Sequence, residues 1–147
     1  MDADVVDGAA GMKITLQHQL SIALENQPGR LAQVSRLLAN EGINIEAISV
    51  IDNVEQGMVR MLTSDPAAAR RIVESHGFPV VEAEVLAIFT TDRLGRLALI
   101  AEALADAGIN IEYAYASVDH HGAQTLLALK ISRPRKGREI LSALPES

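Results

Sequence analysis

The sequence contains no cysteine and no tryptophan, and only two tyrosines and two phenylalanines among its 147 residues. Without cysteine there can be no disulfide bond, thiolate metal ligand or thiol nucleophile, and the composition fits a reducing compartment. The scarcity of aromatic rings excludes extended stacking surfaces for bases or sugars. The hydrophobic residues, 48% of the chain, must therefore build an aliphatic core.

Positive charge and long apolar runs are also scarce. Thirteen Lys and Arg residues against 19 Asp and Glu residues give a net charge of -6, which repels a phosphate backbone, so we expect no nucleic acid partner. The central apolar run at residues 85–89 is far shorter than the ~20 residues of a membrane helix. The chain starts Met-Asp-Ala-Asp, which is acidic where a secretory signal is basic. We expect a cytoplasmic protein with no membrane partner.

The sequence contains an internal repeat whose two copies are separated by a constant offset. Gly29–Ala32 recurs as Gly95–Ala98, and Gly42–Glu46 recurs at the same offset as Gly108–Glu112. Between Gly29 and Glu46, 11 of 18 positions are identical to their counterparts in the second copy. Two long copies without a shorter period indicate a duplicated domain.

Each copy has the pattern strand, helix, two strands, helix, strand. Leu20, Ile22 and Leu24 alternate as in a strand, whereas Leu31 and Val34 have helical spacing. This order predicts the α+β class, with two ferredoxin-like βαββαβ modules whose antiparallel sheets carry their helices on one face. The predicted strands are 19–25, 43–51, 58–63, 78–84, 85–90, 109–118 and 124–131, and the predicted helices follow Gly29 and Pro66 and cover 95–107 and about 137–144.

The second copy lacks a fourth strand after its last helix. The repeat offset maps residues 12–18 onto 78–84, the fourth strand of the first copy. We therefore predict a disordered tail at 1–11, a first module at 12–84, and a second module at 85–147 whose last strand is supplied by 12–18.

The repeated segments resemble the ACT domain family, whose members are small amino-acid-sensing modules. The resemblance rests on Leu24–Leu31 and Gly42–Ile45 in the first copy, and on Asp92–Leu97 and Gly108–Ile111 in the second. It covers about residues 12–145 as a tandem pair. It implies an amino-acid-binding regulatory protein without a catalytic domain, which forms a homo-oligomer such as a dimer and acts on a partner enzyme of amino-acid metabolism.

The resemblance also implies where a free amino acid binds. A helix that begins at Gly29 offers unpaired N–H groups and a positive dipole end to a carboxylate, and Asn26 offers a donor and an acceptor. Asp92 would repel a ligand carboxylate but could pair with an ammonium group. The aliphatic surroundings favour a small or branched-chain amino acid, and we expect no catalytic residue, metal or cofactor. The implied ligand-binding residues are Asn26, Pro28, Gly29, Arg30, Leu31, Asn44, Asp92, Gly95, Arg96 and Asn110.

Other interpretations of the same residues stay open. The glycines could serve only the strand-to-helix turns, and the chain could be an oligomerisation module without ligand. An acylphosphatase-like hydrolase shares the fold, but the loop at 26–30 lacks the glycine-rich turn over an arginine that such an enzyme needs. His120 and His121 fit an exposed turn better than a metal site. The basic cluster of Arg133, Arg135, Lys136 and Arg138 fits a solvated loop, or a surface for an acidic partner.

Strand direction predicts how the site is assembled. In this fold the first two strands of a module run parallel with the third between them, so Asn26 and Asn44 lie at opposite ends of the sheet. We therefore expect the ligand between the 26–31 loop of one module and Asn44 or Asn110 of another. The second strands, 43–51 and 109–118, each carry one charge, and such apolar edges predict a homodimer or larger assembly.

Overall fold

The computed structural model describes residues 6–7, 11–52, 56–91, 95–118 and 124–145. They form two compact units, one of residues 1–17 with 84–147 and one of residues 18–83. Both have the α+β architecture with antiparallel strands. The elements are β1 (Val6–Asp7), β2 (Lys13–Leu24), α1 (Arg30–Asn40), β3 (Ile45–Asp52), β4 (Gly57–Thr63), α2 (Pro66–Ser75), β5 (Val80–Thr91), α3 (Arg96–Asp106), β6 (Ile111–Val118), β7 (Gln124–Ile131) and α4 (Pro134–Ser142).

In the unit of residues 18–83, β4 lies between β2 and β3 and runs antiparallel to both. This is the strand arrangement expected for the first module. Leu20, Ile22 and Leu24 of β2 pack in one core with α1 and α2, each of which buries one apolar stripe. The core includes Leu20, Ile22, Val34, Leu38, Val59, Met61 and Val73.

In the other unit, β7 lies between β5 and β6 and is antiparallel to both. The Thr15 hydroxyl of β2 lies 3.5 Å from the Ala87 carbonyl oxygen of β5. The core includes Met12, Ile14, Leu86, Ile88, Ile100, Leu104, Leu129, Ile131 and Leu141.

The tail at 1–11 is predicted to be disordered, and the structure describes three of its residues. Val6 and Asp7 form β1 and pair with Ile14 and Lys13 of β2. Gly11 is the third, and the rest of the tail lies outside the described residues.

Helix α1 ends where the sequence predicts, and the backbone shows why. Gly42 has a φ of 72°, which is the left-handed conformation that glycine adopts without strain. The N–H of Ile43 donates to the Leu38 carbonyl at 2.9 Å, and the N–H of Gly42 donates to the Ala39 carbonyl at 3.0 Å. These two bonds form a Schellman motif, which satisfies carbonyls at the helix end.

The last helix begins earlier than the sequence predicts, at Pro134 instead of 137. Ile45 pairs with Thr63 in the first copy, whereas Ile111 pairs with Ile131 in the second, so the repeat offset grows by two across the turn between these strands. Pro134 therefore takes the place that Pro66 has in α2, at the first turn of the helix. The expectation of a basic loop at 133–138 is wrong, because residues from 134 onward are helical.

Gly137 allows α4 to pack closely on its sheet. A Cβ at this position would clash with Cδ1 of Ile131. At the equivalent positions the first copy has Ala69 on the helix and Thr63 on the strand, and Thr63 has no δ carbon. The second copy thus pairs glycine with a long strand residue, whereas the first pairs alanine with a shorter one.

We expect Gly137→Ala to destabilise the protein. Overpacking of a core costs about 1–3 kcal/mol, which exceeds the ~1 kcal/mol that alanine gains over glycine as a helix former. Adding Ile131→Val removes the clashing methyl group and should restore most of the loss. Denaturant unfolding of the two single variants and the double variant measures this coupling, and additive effects would contradict it.

Candidate functional site

The loop at residues 25–29 lies at the same end of the sheet as the last residue of β3. Leu24, the last residue of β2, pairs with Gly57, and Asp52 pairs with Gly57 from the other side. The Asn26 amide then reaches across, and its Nδ2 donates to Oδ1 of Asp52 at 3.1 Å. Asn26 and Asp52 thus form one exposed polar pair.

A cleft of about 110 Å³ lies beside this pair. Its polar wall includes Glu25, Asn26 and Asp52, and its apolar wall includes Leu31 and Met58, together with other residues of β2, β3 and β4. Pockets for drug-sized ligands are larger, about 300–1,000 Å³. The cleft therefore suits a small ligand with both polar and aliphatic parts.

The N-terminus of α1 lies at this cleft without a side-chain cap. Gly29 precedes the helix with a φ of 90°, and no side chain of the described residues caps the N–H groups of the first turn. In contrast, Asp65 caps α2 by accepting the N–H of Ala68 at 3.1 Å. The N–H of Arg30 donates to the Gln27 carbonyl at 3.4 Å, so the N–H groups that can meet an anion are those of Leu31 and Ala32, where the helix dipole also favours one.

Gly29 is required for its conformation and not for lack of space. A Cβ at Gly29 would have no atom within 4 Å, but the positive φ strains any other residue. Pro28 precedes it on the exposed turn. Both residues thus set the direction in which α1 begins.

Arg30 also lines the cleft, and its side chain lies against the same loop. Its Nη2 is 3.1 Å from the Glu25 carboxylate and 3.4 Å from Oε1 of Gln27, and its Nη1 is 3.4 Å from Oε1 of Gln33. These exposed contacts tie the loop to the helix. Exposed ion pairs contribute little stability, so the contact between Arg30 and Glu25 can be broken at small cost.

Asn44 lies at the other end of the sheet from Asn26. Ile45 pairs with Thr63, the last residue of β4, whereas Asp52 pairs with Gly57, the first. Six residue steps of about 3.3 Å separate these ends by about 20 Å. The unit therefore does not bring Asn26 and Asn44 to one ligand.

Asn44 and Asn110 make the same backbone contacts in the two copies. The N–H of Asn44 donates to Oγ of Ser64 at 2.9 Å, and the N–H of Ser64 donates to the Asn44 carbonyl at 3.0 Å. Asn110 and Ser132 repeat this pair at 3.2 Å and 3.1 Å. The backbone role of these asparagines is thus local, while both residues stay exposed.

The second copy keeps the helix start but not the surroundings of its arginine. Gly95 has a φ of 82° and precedes α3 without a side-chain cap from the described residues. Arg96 is buried at 7% exposure, whereas Arg30 is partly exposed. Asp92 lies outside the described residues, so its predicted role stays a prediction.

Asp52 is the site residue that sequence reasoning missed, since it lies one position beyond the predicted strand at 43–51. The predicted fold contains the missing signal. The first two strands of a module run parallel, so their carboxyl-terminal ends meet at one edge. Asp52 and the 26–31 loop each follow such an end.

The described residues also bear on metal and membrane binding. In the part of the chain that the structure describes, no three His, Asp or Glu residues lie close enough to hold a metal ion. His120 and His121 lie outside the described residues. No helix within the described ranges is both long enough and apolar enough to cross a membrane.

Comparison with solved structures gives the same fold. Protein BT0572 from Bacteroides thetaiotaomicron is 32% identical, with 86% of each chain covered and a TM-score of 0.79. The regulatory subunit of aspartate kinase from Thermus thermophilus is 18% identical, with 91% of this chain and 95% of that chain covered and a TM-score of 0.69. The corresponding subunit from Thermus flavus is 21% identical over 93% and 94%, with a TM-score of 0.62.

No curated protein matches the chain. The family model described as ACT domain pair matches residues 14–144, which is nearly the whole sequence. The match spans both copies of the repeat, including both glycine-started helices. The chain therefore belongs to the ACT domain pair family.

Proposed function

We propose that this protein is a regulatory protein that binds a small aliphatic amino acid in the cleft at the start of α1. The observation that carries the proposal is the uncapped N-terminus of α1 beside the Asn26–Asp52 pair and an aliphatic wall. An α-amino acid has a carboxylate, an ammonium group and a side chain, and each finds a complementary group there.

Each part of the ligand has a proposed partner. The carboxylate accepts hydrogen bonds from the N–H groups of Leu31 and Ala32 in the first turn of α1. The ammonium group replaces the Asn26 amide at Asp52, so that it donates both to the Asp52 carboxylate and to the side-chain carbonyl of Asn26. The side chain packs against Leu31 and Met58, and the cleft volume limits it to a few carbon atoms.

The proposed site is completed by another module. Asn44 lies about 20 Å from Asn26 of the same module along the sheet. The Asn44 or Asn110 side chain that contacts the ligand would therefore belong to a module of a second protein chain. Binding would then couple the ligand to assembly, and through assembly to a partner enzyme of amino-acid metabolism. We place this protein in the cytoplasm, without catalytic activity of its own.

A second candidate is an oligomerisation module without ligand. The apolar edge of β3 favours it, because Ile48 and Val50 are 39% and 61% exposed. In this candidate neither Asp52 nor the N-terminus of α1 has a function.

Titration with the twenty amino acids separates the two candidates. We expect one small aliphatic amino acid to bind by calorimetry and to raise the melting temperature. At a hundredfold excess over Kd, binding stabilises the folded state by about 2.7 kcal/mol. If none of the twenty binds, the ligand-free module is the better description.

We expect Asp52→Asn to weaken amino acid binding about 5- to 10-fold. The variant replaces a hydrogen bond to a charged group, worth about 1.5–3 kcal/mol, by a neutral one. Glu41→Gln is a matched control, because Glu41 is an exposed carboxylate at the far end of α1. Equal affinities of the two variants would contradict the ammonium partner.

Asn26→Ala and Asn44→Ala should each abolish binding with little loss of stability, because both side chains are exposed. Calorimetry gives the affinity and thermal unfolding gives the stability. The idea of a site shared between modules fails if Asn44→Ala leaves the affinity unchanged while Asn26→Ala removes it.

A further inference from the structure

Gly57 is a glycine at a position where the backbone conformation does not require one. It is the first residue of β4, and its φ is not positive, unlike that of Gly29 or Gly42. Glycine weakens a strand, because it has no side chain to pack and loses much conformational freedom on folding. A glycine within a strand often marks the close approach of a ligand or of another backbone segment. Gly57 therefore calls for one of these two explanations.

Gly57 lies in the middle of a row of three cross-strand neighbours at the cleft. Leu24 of β2 pairs with it on one side, and Asp52 of β3 pairs with it on the other. Residues directly opposite each other on paired strands point to the same face of the sheet, and Leu24 points to the face that packs with α1. A side chain at residue 57 would thus stand between those of Leu24 and Asp52. All three residues line the cleft, so the missing Cβ leaves a gap in its floor.

The second copy has the same row with a side chain in the middle. Thr125 takes the place of Gly57, between Thr90 of β5 and Val118 of β6. These two are the counterparts of the neighbours of Gly57, since the repeat offset grows by two only across the turn before β7. A β-branched residue therefore fits this strand position between the same two strands.

The close approach of another backbone segment is the competing explanation. A Cβ at residue 57 would lie 3.1 Å from the Leu24 carbonyl oxygen and 3.7 Å from the Ile51 carbonyl oxygen. The first distance requires a shift of a few tenths of an ångström, and the second is an ordinary van der Waals contact. Thr125 shows that the strand arrangement accommodates such a side chain. The copy with the cleft nevertheless has glycine.

We propose that Gly57 determines which amino acids the cleft accepts, because the side chain of the ligand occupies the space that a Cβ would fill. This assignment rests on the proposed function and adds the position of the ligand side chain. Leu31 and Met58 line the same cleft, so an aliphatic side chain over Gly57 also contacts them. At the equivalent positions the second copy has Thr125 in the gap and Val118 in place of the carboxylate. It therefore has neither of these two features of the site.

Calorimetry with L-alanine, L-valine and L-leucine tests this assignment on the full-length protein. We expect the wild type to bind L-valine or L-leucine. In Gly57→Ala, the ratio of that affinity to the affinity for L-alanine should fall at least tenfold, because one methylene group in an apolar pocket changes binding about 10- to 200-fold. The matched control is Ser49→Thr, which adds one methyl group to β3 outside the cleft and should leave the ratio unchanged.

Other results would overturn the proposal. An equal loss for all three amino acids would mean that the alanine distorts the cleft as a whole, and an unchanged ratio would place the ligand side chain elsewhere. A Gly57→Ala variant that circular dichroism shows to be unfolded would mean that the backbone requires glycine. A wild type that binds only glycine would contradict the proposal as well, because glycine has no side chain. All of these results leave the proposed function intact, whereas a wild type that binds none of the twenty amino acids rejects both.

Discussion

Deletion of residues 1–18 is expected to unfold the unit formed by residues 84–147. Met12 and Ile14 are 1% and 0% exposed, and both lie in the core of that unit with Leu86 and Ile100. Truncating one such side chain to alanine costs about 2–5 kcal/mol. Removing both, with the strand that carries them, costs as much as a typical domain's whole stability of about 5–15 kcal/mol.

Amide hydrogen exchange on the deletion variant is the most direct measurement. We expect rapid exchange throughout residues 96–142, because the sheet of this unit loses the strand beside β5. The deletion tests the predicted division of the chain, in which residues 12–18 supply the last strand of the second module. Slow exchange retained in β7 and α3 would contradict that division.

A pair of point variants gives the same test without shortening the chain. Ile14→Ala should lower the free energy of unfolding by about 2–5 kcal/mol. Lys13→Ala is the matched control, because Lys13 is exposed on the same strand and should change the stability by about 0.5 kcal/mol or less. Equal effects would mean that the strand adds no core to this unit.

Much of the fold was predictable from the sequence because the chain contains the same pattern of helices and strands twice. An element found in one copy is supported by its counterpart, and Gly42 and Gly108 mark the same helix end in both. The start of α4 was missed because the turns before β4 and β7 differ in length, and the repeat offset does not hold beyond them. Only the strand register shows the change.

The site was predictable in part, because a strand-to-helix turn at a glycine specifies an uncapped helix start. The predicted strand directions bring Asn26 and Asp52 to one end of the sheet, but the hydrogen bond between them depends on side-chain positions that the strand pattern does not give. The partner of Glu82 was not predictable either. In the sequence this residue interrupts an apolar face of β5. In the structure Arg70 of α2 lies 3.3 Å from Glu82, and hydrogen bonds to Glu74 and Glu82 raise the pKa of Arg70 above its ordinary value.

The β3 edge gives the last prediction. Among the described strands β3 pairs with β4 alone. Its Ile48 and Val50 pair with Met61 and Val59, which are fully buried, yet they are themselves 39% and 61% exposed. The apolar layer thus continues past the last paired strand. Proteins cover such an edge, and the β3 strand of a second protein chain matches it in shape and polarity.

The corresponding strand of the second repeat, β6, is less apolar on the equivalent face. Ala114 and Ala116 replace Ile48 and Val50 there, and Glu112 of β6 forms an ion pair with Lys130 at 2.8 Å. We therefore expect the dimer to form through β3.

Ile48→Lys is expected to convert this dimer to a monomer at micromolar concentration. Each chain of the dimer loses an isoleucine that the interface buries, worth about 1.5–3 kcal/mol, and places an unpaired charge at the interface. The two chains together lose about 3 kcal/mol or more, which raises the dissociation constant of the dimer more than a hundredfold. Light scattering measures the mass, and Val81→Lys is the matched control, because Val81 is 67% exposed on β5.

The same variant tests whether the amino acid binds at the interface. Ile48 does not line the cleft, whereas Val50 does, so Ile48→Lys leaves every group of the cleft in place. If the ligand contacts Asn44 of a second protein chain, the Ile48→Lys variant loses its affinity for the amino acid when it loses the ability to dimerise. A monomer that binds the amino acid as tightly as the wild type would show that one copy is sufficient. A wild type with the mass of a single chain would reject the dimer itself.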